Sequence, residues 1–266
     1  MDLQSLSLTG AVRDAPLLVG DWPGVPAFDR AVLCQMPDGV TLNLDQRMGH
    51  IYEQALAVLI EASPDLFLTA SHIQIYDADN RTLGEVDFLI HDQARDTHIH
   101  LELAVKFYLA HERDGKWRFP GPNASDSFGR KINHMRDHQL SLCQRPEAKK
   151  LLQERYDIDV IEARHLITGC LFDPIGRGDV PVPSHLSPSA MRGKWLYREQ
   201  FKTYFGQVEA VHILPKPFWL VPFLSETAPL FDPTPVQLLL EERQCVMFAI
   251  EGYAEKFFLV PDAWPD

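Results

Sequence analysis

The chain has 266 residues, 45% of them hydrophobic and 23% charged, a composition that supports a sizeable buried core and excludes a disordered or fibrous protein. Its net charge of −12 argues against a protein that coats nucleic acid through a broad basic surface. The four cysteines, Cys34, Cys143, Cys170 and Cys245, lack C-x-x-C spacing, which argues against a disulfide frame or a zinc site.

The N-terminal stretch MDLQSLSLTG has neither the basic run nor the apolar run of a signal peptide, and no apolar stretch reaches membrane-spanning length. A cytoplasmic protein without membrane association is therefore expected. The charge is also uneven. Between Ala104 and Arg155 there are 11 Lys and Arg against 6 Asp and Glu, so basic residues gather in an otherwise acidic chain.

In chain order, residues 1–40 carry Pro16, Pro23, Pro26 and Pro37 with Gly20 and Gly24, which predicts an irregular N-terminal arm. From Leu44 to Ala62 apolar residues recur with helical spacing, and Ser63 and Pro64 end the pattern. Glu53 lies at the edge of that stripe, where it either reaches solvent or serves a site. Leu66–Asp77 contains the alternating HIQIY, and the turn-rich DADNR leads to the next strand.

Two runs, TLGEVDFLI from Thr82 and HIHLELAVKFYL from His98, alternate with the period of two that a half-buried strand requires. On this pattern Val86, Phe88 and Ile90 share one face, leaving Glu85 and Asp87 together on the other. In the second run, His98, His100, Glu102, Ala104, Lys106 and Tyr108 lie opposite an apolar face. Paired across the turn, the backbones sit about 4.8 Å apart, so carboxylates and a lysine converge. Acidic groups at such range repel, and a divalent cation is the simplest remedy. An ordinary solvated face with a Glu–Lys pair is the bland alternative.

The Gly- and Pro-rich HERDGKWRFPGPN predicts a loop. Ser125 or Asp126 can then cap a helix to about Cys143, with Phe128, Ile132, Met135, Gln139 and Leu142 on its buried stripe. Gln139 must find a partner there, either backbone or a group in the site. Arg130, Lys131, His134 and His138 flank the stripe and can face solvent or nucleic-acid phosphates. A helix over Glu147–Arg155 and a strand, HLITGCLF, complete a core over residues 41–173.

Beyond it, ten of the twenty prolines fall between Pro174 and Pro235, which predicts a Pro-rich α+β module over residues 174–266. A helix is expected around Lys194–Tyr204. Trp195, Tyr197, Phe218 and Trp219 can stack bases, but such aromatics more often cement a module to its neighbour.

The order helix, three-stranded meander, helix, strand resembles the α/β, restriction-endonuclease-like core of the PD-(D/E)XK nuclease superfamily. GEVDFL looks like the GExD element of several members, and its pairing with ELAVKFYL resembles an uncharacterised bacterial family grouped with them. The resemblance implies Mg²⁺ or Mn²⁺ as cofactor, Asp87 as metal ligand, Lys106 as the motif lysine and Glu53 as the helix-borne acid. One position departs from the pattern: the residue two before Lys106 is Ala104 rather than an acid. Glu102 or Glu85 is left to fill that role.

The leading expectation is a metal-dependent nuclease, a hydrolase acting on DNA ahead of RNA, in which Asp87, Glu102 and Glu85 hold the metal. The rival is a nuclease-fold scaffold or binding protein without activity. A third possibility, His98, His100 and Glu102 as an iron site, lacks a barrel oxygenase's strand pattern.

Overall fold

The structure is a computed structural model that describes residues 2–265. Its first element is not an irregular arm but a helix, α1 (Leu3–Asp14), whose N-cap Asp2 accepts the N–H groups of Gln4 and Ser5. The buried side of α1 mixes Leu8, Ala11 and Val12 with Ser5 and Thr9, so no apolar stripe announces it. Those hydroxyls are satisfied locally: Thr9 Oγ1 donates to the Ser5 carbonyl, and Ser5 Oγ accepts the Leu42 N–H. Irregular structure begins only at Pro16, and this segment lies along the sheet through isolated bridges of Leu17 with Thr168 and Ala27 with His165.

Helix α2 (Met48–Glu61) buries Ile51, Tyr52, Ala55, Leu56, Leu59 and Ile60, each large side chain contributing roughly 1.5–3 kcal/mol by leaving water. An antiparallel meander follows: β1 (Leu66–Tyr76), β2 (Thr82–Asp92) and β3 (Thr97–Leu109). The expected loop after β3 holds a small hairpin, β4 (His111–Arg113) and β5 (Lys116–Arg118), closed by Asp114 and Gly115 with positive φ.

Helix α3 (Phe128–His134) then widens into a π-helical turn at Met135–Gln139, and α4 (Pro146–Tyr156) leads to β6 (Glu162–Pro174), parallel to β3. The C-terminal third extends the same sheet. Where a helix is expected from Lys194, the chain forms β7 (Met191–Tyr197), paired with β6, and only a short α5 (Phe201–Phe205). Then come β8 (Ala210–Leu214), β9 (Pro233–Pro235), α6 (Val236–Glu241), β10 (Val246–Ala249) and β11 (Phe257–Val260). Nine strands form one mixed sheet ordered β1-β2-β3-β6-β7-β11-β10-β8-β9.

Both faces of the sheet are covered at β3 and β6, so the polar face expected for β3 is largely buried. Leu101, Leu103 and Phe107 pack with α1 and α2, while Ala104 and Tyr108 pack under Phe128, Ile132 and Met135. The strict alternation expected of β2 also fails. Val86 and Leu89 join Leu142 and Leu152 on one face, whereas Phe88 and Ile90 face α2. The exchange of faces coincides with His72, whose φ of 53° places a strand residue in the left-handed region between the Ser71–Phe88 and Ile73–Val86 pairs. Trp195, Phe218 and Trp219 are buried and cement the two halves; the Trp195 Nε1–H donates to the Ala110 carbonyl.

Lys106 pairs with Gly169 in the β3–β6 ladder. Gly169 has a φ of +145°, and a Cβ there would lie 1.7 Å from the Lys106 carbonyl oxygen. Gly169→Ala is therefore expected to cost about 3 kcal/mol or more, lowering the urea midpoint sharply. Gly129→Ala, in open space on α3, is expected to be neutral or to gain up to about 1 kcal/mol. Equal midpoints for the two variants would refute this account of the ladder.

Candidate functional site

The β2–β3 ladder runs from the Asp92–Thr97 pair to the Phe88–Leu101 pair and then stops. Beyond that point β2 stays with β1 and β3 stays with β6, so the sheet forks. At the fork, carboxylates take over as hydrogen-bond acceptors. Asp87 Oδ2 accepts the Leu103 N–H at 3.0 Å, and Glu102 Oε1 accepts the Asp87 N–H at 3.4 Å. Asp87 and Glu102 thus face each other across the opening, although no alternation rule places a side chain between strands.

Glu102 is fully buried and held from two sides. His100 Nε2 lies 2.7 Å from its Oε1, and the Gln139 amide donates to its Oε2 at 2.6 Å. Burial opposes a charged His100 ring, but contacts with Cys143 and Glu102 outweigh it and push the imidazole up to about 10, favouring an ion pair. Cys143 lies alongside the ring, short of a well-formed hydrogen bond to Nδ1. Of the two partners open to Gln139, a site residue is the one it takes, and the π-helical turn is the element that carries it.

Gln139 extends the chain outward, since Lys131 Nζ donates to its Oε1 at 2.7 Å. Burial, followed by repulsion from Lys106, holds the Lys131 ammonium below its usual value, against the pull of Glu102, Asp87 and Asp126. Lys106 itself donates to Asp126 Oδ2 at 2.9 Å. The expected trio of Asp87, Glu102 and Lys106 therefore separates: the carboxylates meet, and the motif lysine is held by a different aspartate. In its place the helix-borne Lys131 is wired to Glu102 through Gln139.

A cavity of about 380 Å³ opens at this fork, lined by Glu85, Asp87, Lys131, His134, His138 and Gln139 among others. Arg145 also lines it and had no signal in the sequence beyond its basic charge. Arg130 lies apart, in a neighbouring cleft with Arg113 and Arg118. On the α2 side, Glu85 and Glu53 meet two histidines: His72 Nδ1 is 3.0 Å from Glu85, His50 Nδ1 is 2.8 Å from Glu53, and His72 Nε2 is 4.0 Å from Glu53. His98 does not join His100 and Glu102 in an iron set; its ring stacks on His91 at 4.6 Å.

Asp87 feels this crowding. Burial first, then the Glu102 charge and more weakly Glu53, push its carboxyl up to about 8 despite the Leu103 N–H. No group of three or more His, Cys, Asp and Glu is arranged to hold a metal among the described residues. Mg²⁺ needs less, since it takes one or two carboxylates and completes its shell with water and phosphate oxygens. Asp87 and Glu102 would offer two such oxygen donors once Asp87 gives up its proton and Glu102 exchanges a hydrogen-bond partner.

The chain belongs to the family described as a domain of unknown function (DUF1853), whose family model matches residues 27–247. No curated protein and no solved structure matches it. No helix among the described residues is long and apolar enough to cross a membrane.

Because Asp87 binds its proton more tightly folded than unfolded, its contribution is full below about pH 4 and is lost as pH rises to about 8. Asp87→Asn should therefore exceed the wild type in stability at pH 8, with the gap closing towards pH 4. Urea unfolding across that range measures it, and a constant gap would contradict the assignment.

Proposed function

We propose that the fork between β2 and β3 is the active site of a metal-dependent phosphodiesterase acting on nucleic acid, DNA ahead of RNA, built on a restriction-endonuclease-like core. The observation that carries this reading is the meeting of Asp87 and Glu102 at the break in the ladder, with Lys131 tied to Glu102 through Gln139. Asp87 and Glu102 would hold Mg²⁺ or Mn²⁺, with Glu85 or Glu53 assisting. A bound cation would supply charge neutralisation at the scissile phosphate and acidify water.

The protein's own groups divide the remaining work. Asp87 must release its proton to act as a ligand, so its activity should rise with pH through the region near 8. Lys131 on the cavity wall, with Lys106 near enough to repel it, supplies positive charge that can stabilise the pentavalent phosphorus. His134 and His138 on the cavity rim, with Arg130 in the next cleft, are suited to hold backbone phosphates.

One observation favours the rival, a nuclease-like scaffold without activity. Glu102 is inaccessible and both its oxygens are engaged, so binding a metal requires it to exchange His100 or Gln139 for the ion. A metal titration separates the two readings. A ligating site should raise the melting temperature with millimolar Mg²⁺ or Mn²⁺, more at pH 8.5 than at pH 6, and lose the effect in Asp87→Ala.

Cleavage of labelled DNA and RNA in Mg²⁺ or Mn²⁺ tests the reaction itself. Asp87→Ala is expected to abolish it, and Lys131→Ala to lower it roughly 100-fold, with a smaller loss for Lys106→Ala. Turnover that survives Asp87→Ala would reject this site, while a complete lack of cleavage would favour the scaffold.

A further inference from the structure

A second and larger cavity, of about 550 Å³, opens where the end of β3 meets the loop before α3 and the segments around Cys245 and Trp264. Its size falls within the range of small-molecule sites, roughly 300–1,000 Å³. The inner wall is aromatic. Phe107 and Trp219 meet edge to face at 5.4 Å, and Trp219 is fixed by its Nε1–H donating to the Leu214 carbonyl at 2.8 Å. Trp264 adds a third ring, packed at 5.2 Å on Trp195.

The polar lining has the opposite sign to the chain as a whole. Lys106, Lys216 and Arg243 stand against a single carboxylate, Asp126, in a protein of net charge −12. Asp126 is already paired with Lys106. Lys216 and Arg243 are exposed and have no salt-bridge partner among the described residues. Unpaired cations beside a rigid aromatic wall suit a ligand that joins a flat ring to an anion, and the guanidinium fork favours phosphate oxygens.

We propose that this cavity binds a phosphorylated nucleoside, with the base against Phe107, Trp219 and Trp264 and the phosphate at Lys216 and Arg243. The site adds to the cleavage reading through the shared Lys106 but needs no metal, so it can be tested where no cleavage occurs. Its occupant is either a free nucleotide or the phosphorylated end of a strand.

Tryptophan emission and titration calorimetry on the whole protein in EDTA distinguish these sources, with deoxyadenosine monophosphate, deoxyadenosine and a 5′-phosphorylated hexadeoxyadenylate as probes. The monophosphate or the oligonucleotide is expected to bind saturably, and deoxyadenosine at least 10-fold more weakly. The double variant Lys216→Ala/Arg243→Ala, which removes exposed side chains, should weaken binding at least 10-fold with an unchanged melting temperature. Tighter binding of the oligonucleotide assigns the cavity to a strand end, and equal or tighter binding of the monophosphate assigns it to a free nucleotide.

The inference is overturned if neither phosphorylated probe binds saturably, if deoxyadenosine binds as well, or if the double variant binds like the wild type. Binding that is lost in Asp87→Ala but kept in the double variant would place the nucleotide in the carboxylate cleft and overturn it as well. Failure of cleavage alone leaves these readouts unaffected.

Discussion

Two carboxylates stand where main-chain carbonyls would continue a sheet. When β2 parts from β3, the N–H groups of Leu103 and Asp87 lose their ladder partners, and an orphaned backbone donor in this interior would be costly. Asp87 and Glu102 supply the missing acceptors. The same exchange holds the fork open and brings two acidic groups face to face, so the geometry of the site and the integrity of the sheet rest on one set of hydrogen bonds.

Bringing acids together in a buried place has electrostatic consequences that the surrounding elements absorb by different means. Glu102 is offset by the His100 ring on its own strand and by the amide of Gln139 from the π-helical turn. Asp87 forms no ion pair among the described residues and holds its proton more tightly instead. Glu53 and Glu85, nearer the surface, share His50 and His72. The acidic centre is thus graded from a buried ion pair to a solvated rim, and its least compensated member is the aspartate that opens onto the cavity.

The basic residues that cluster between Ala104 and Arg155 in the sequence do not form one surface. Lys131 turns inward to Gln139, Lys106 joins Asp126, and Arg130 lines a separate cleft with Arg113 and Arg118. Positive charge therefore borders the fork and the aromatic cavity from several sides. This arrangement is possible in an acidic protein because Lys106 comes from β3 while Arg130 and Lys131 leave α3 toward different clefts, rather than lining one helix face together.

Much of the core was legible from local pattern. Helical spacing marked α2, alternation marked β1 and β3, and the pairing of the strands carrying Asp87 and Glu102 followed from their short polar turn. Helix α1 escaped because buried Ser5 and Thr9 interrupt its apolar face, and β7 escaped because Tyr197, Phe201 and Tyr204 recur at i, i+4 and i+7, a helical spacing that runs the end of the strand into α5. By itself the sequence determined which residues carry charge and which strands adjoin, since both depend on side-chain identity and on periodicities of a few residues. Only the tertiary structure decided that β2 exchanges faces at His72, that the ladder ends at Phe88, and that Lys131 rather than Lys106 is linked to Glu102. Those outcomes depend on one strained backbone position and on hydrogen bonds between residues 8 to 37 positions apart, beyond the few residues that a local period constrains.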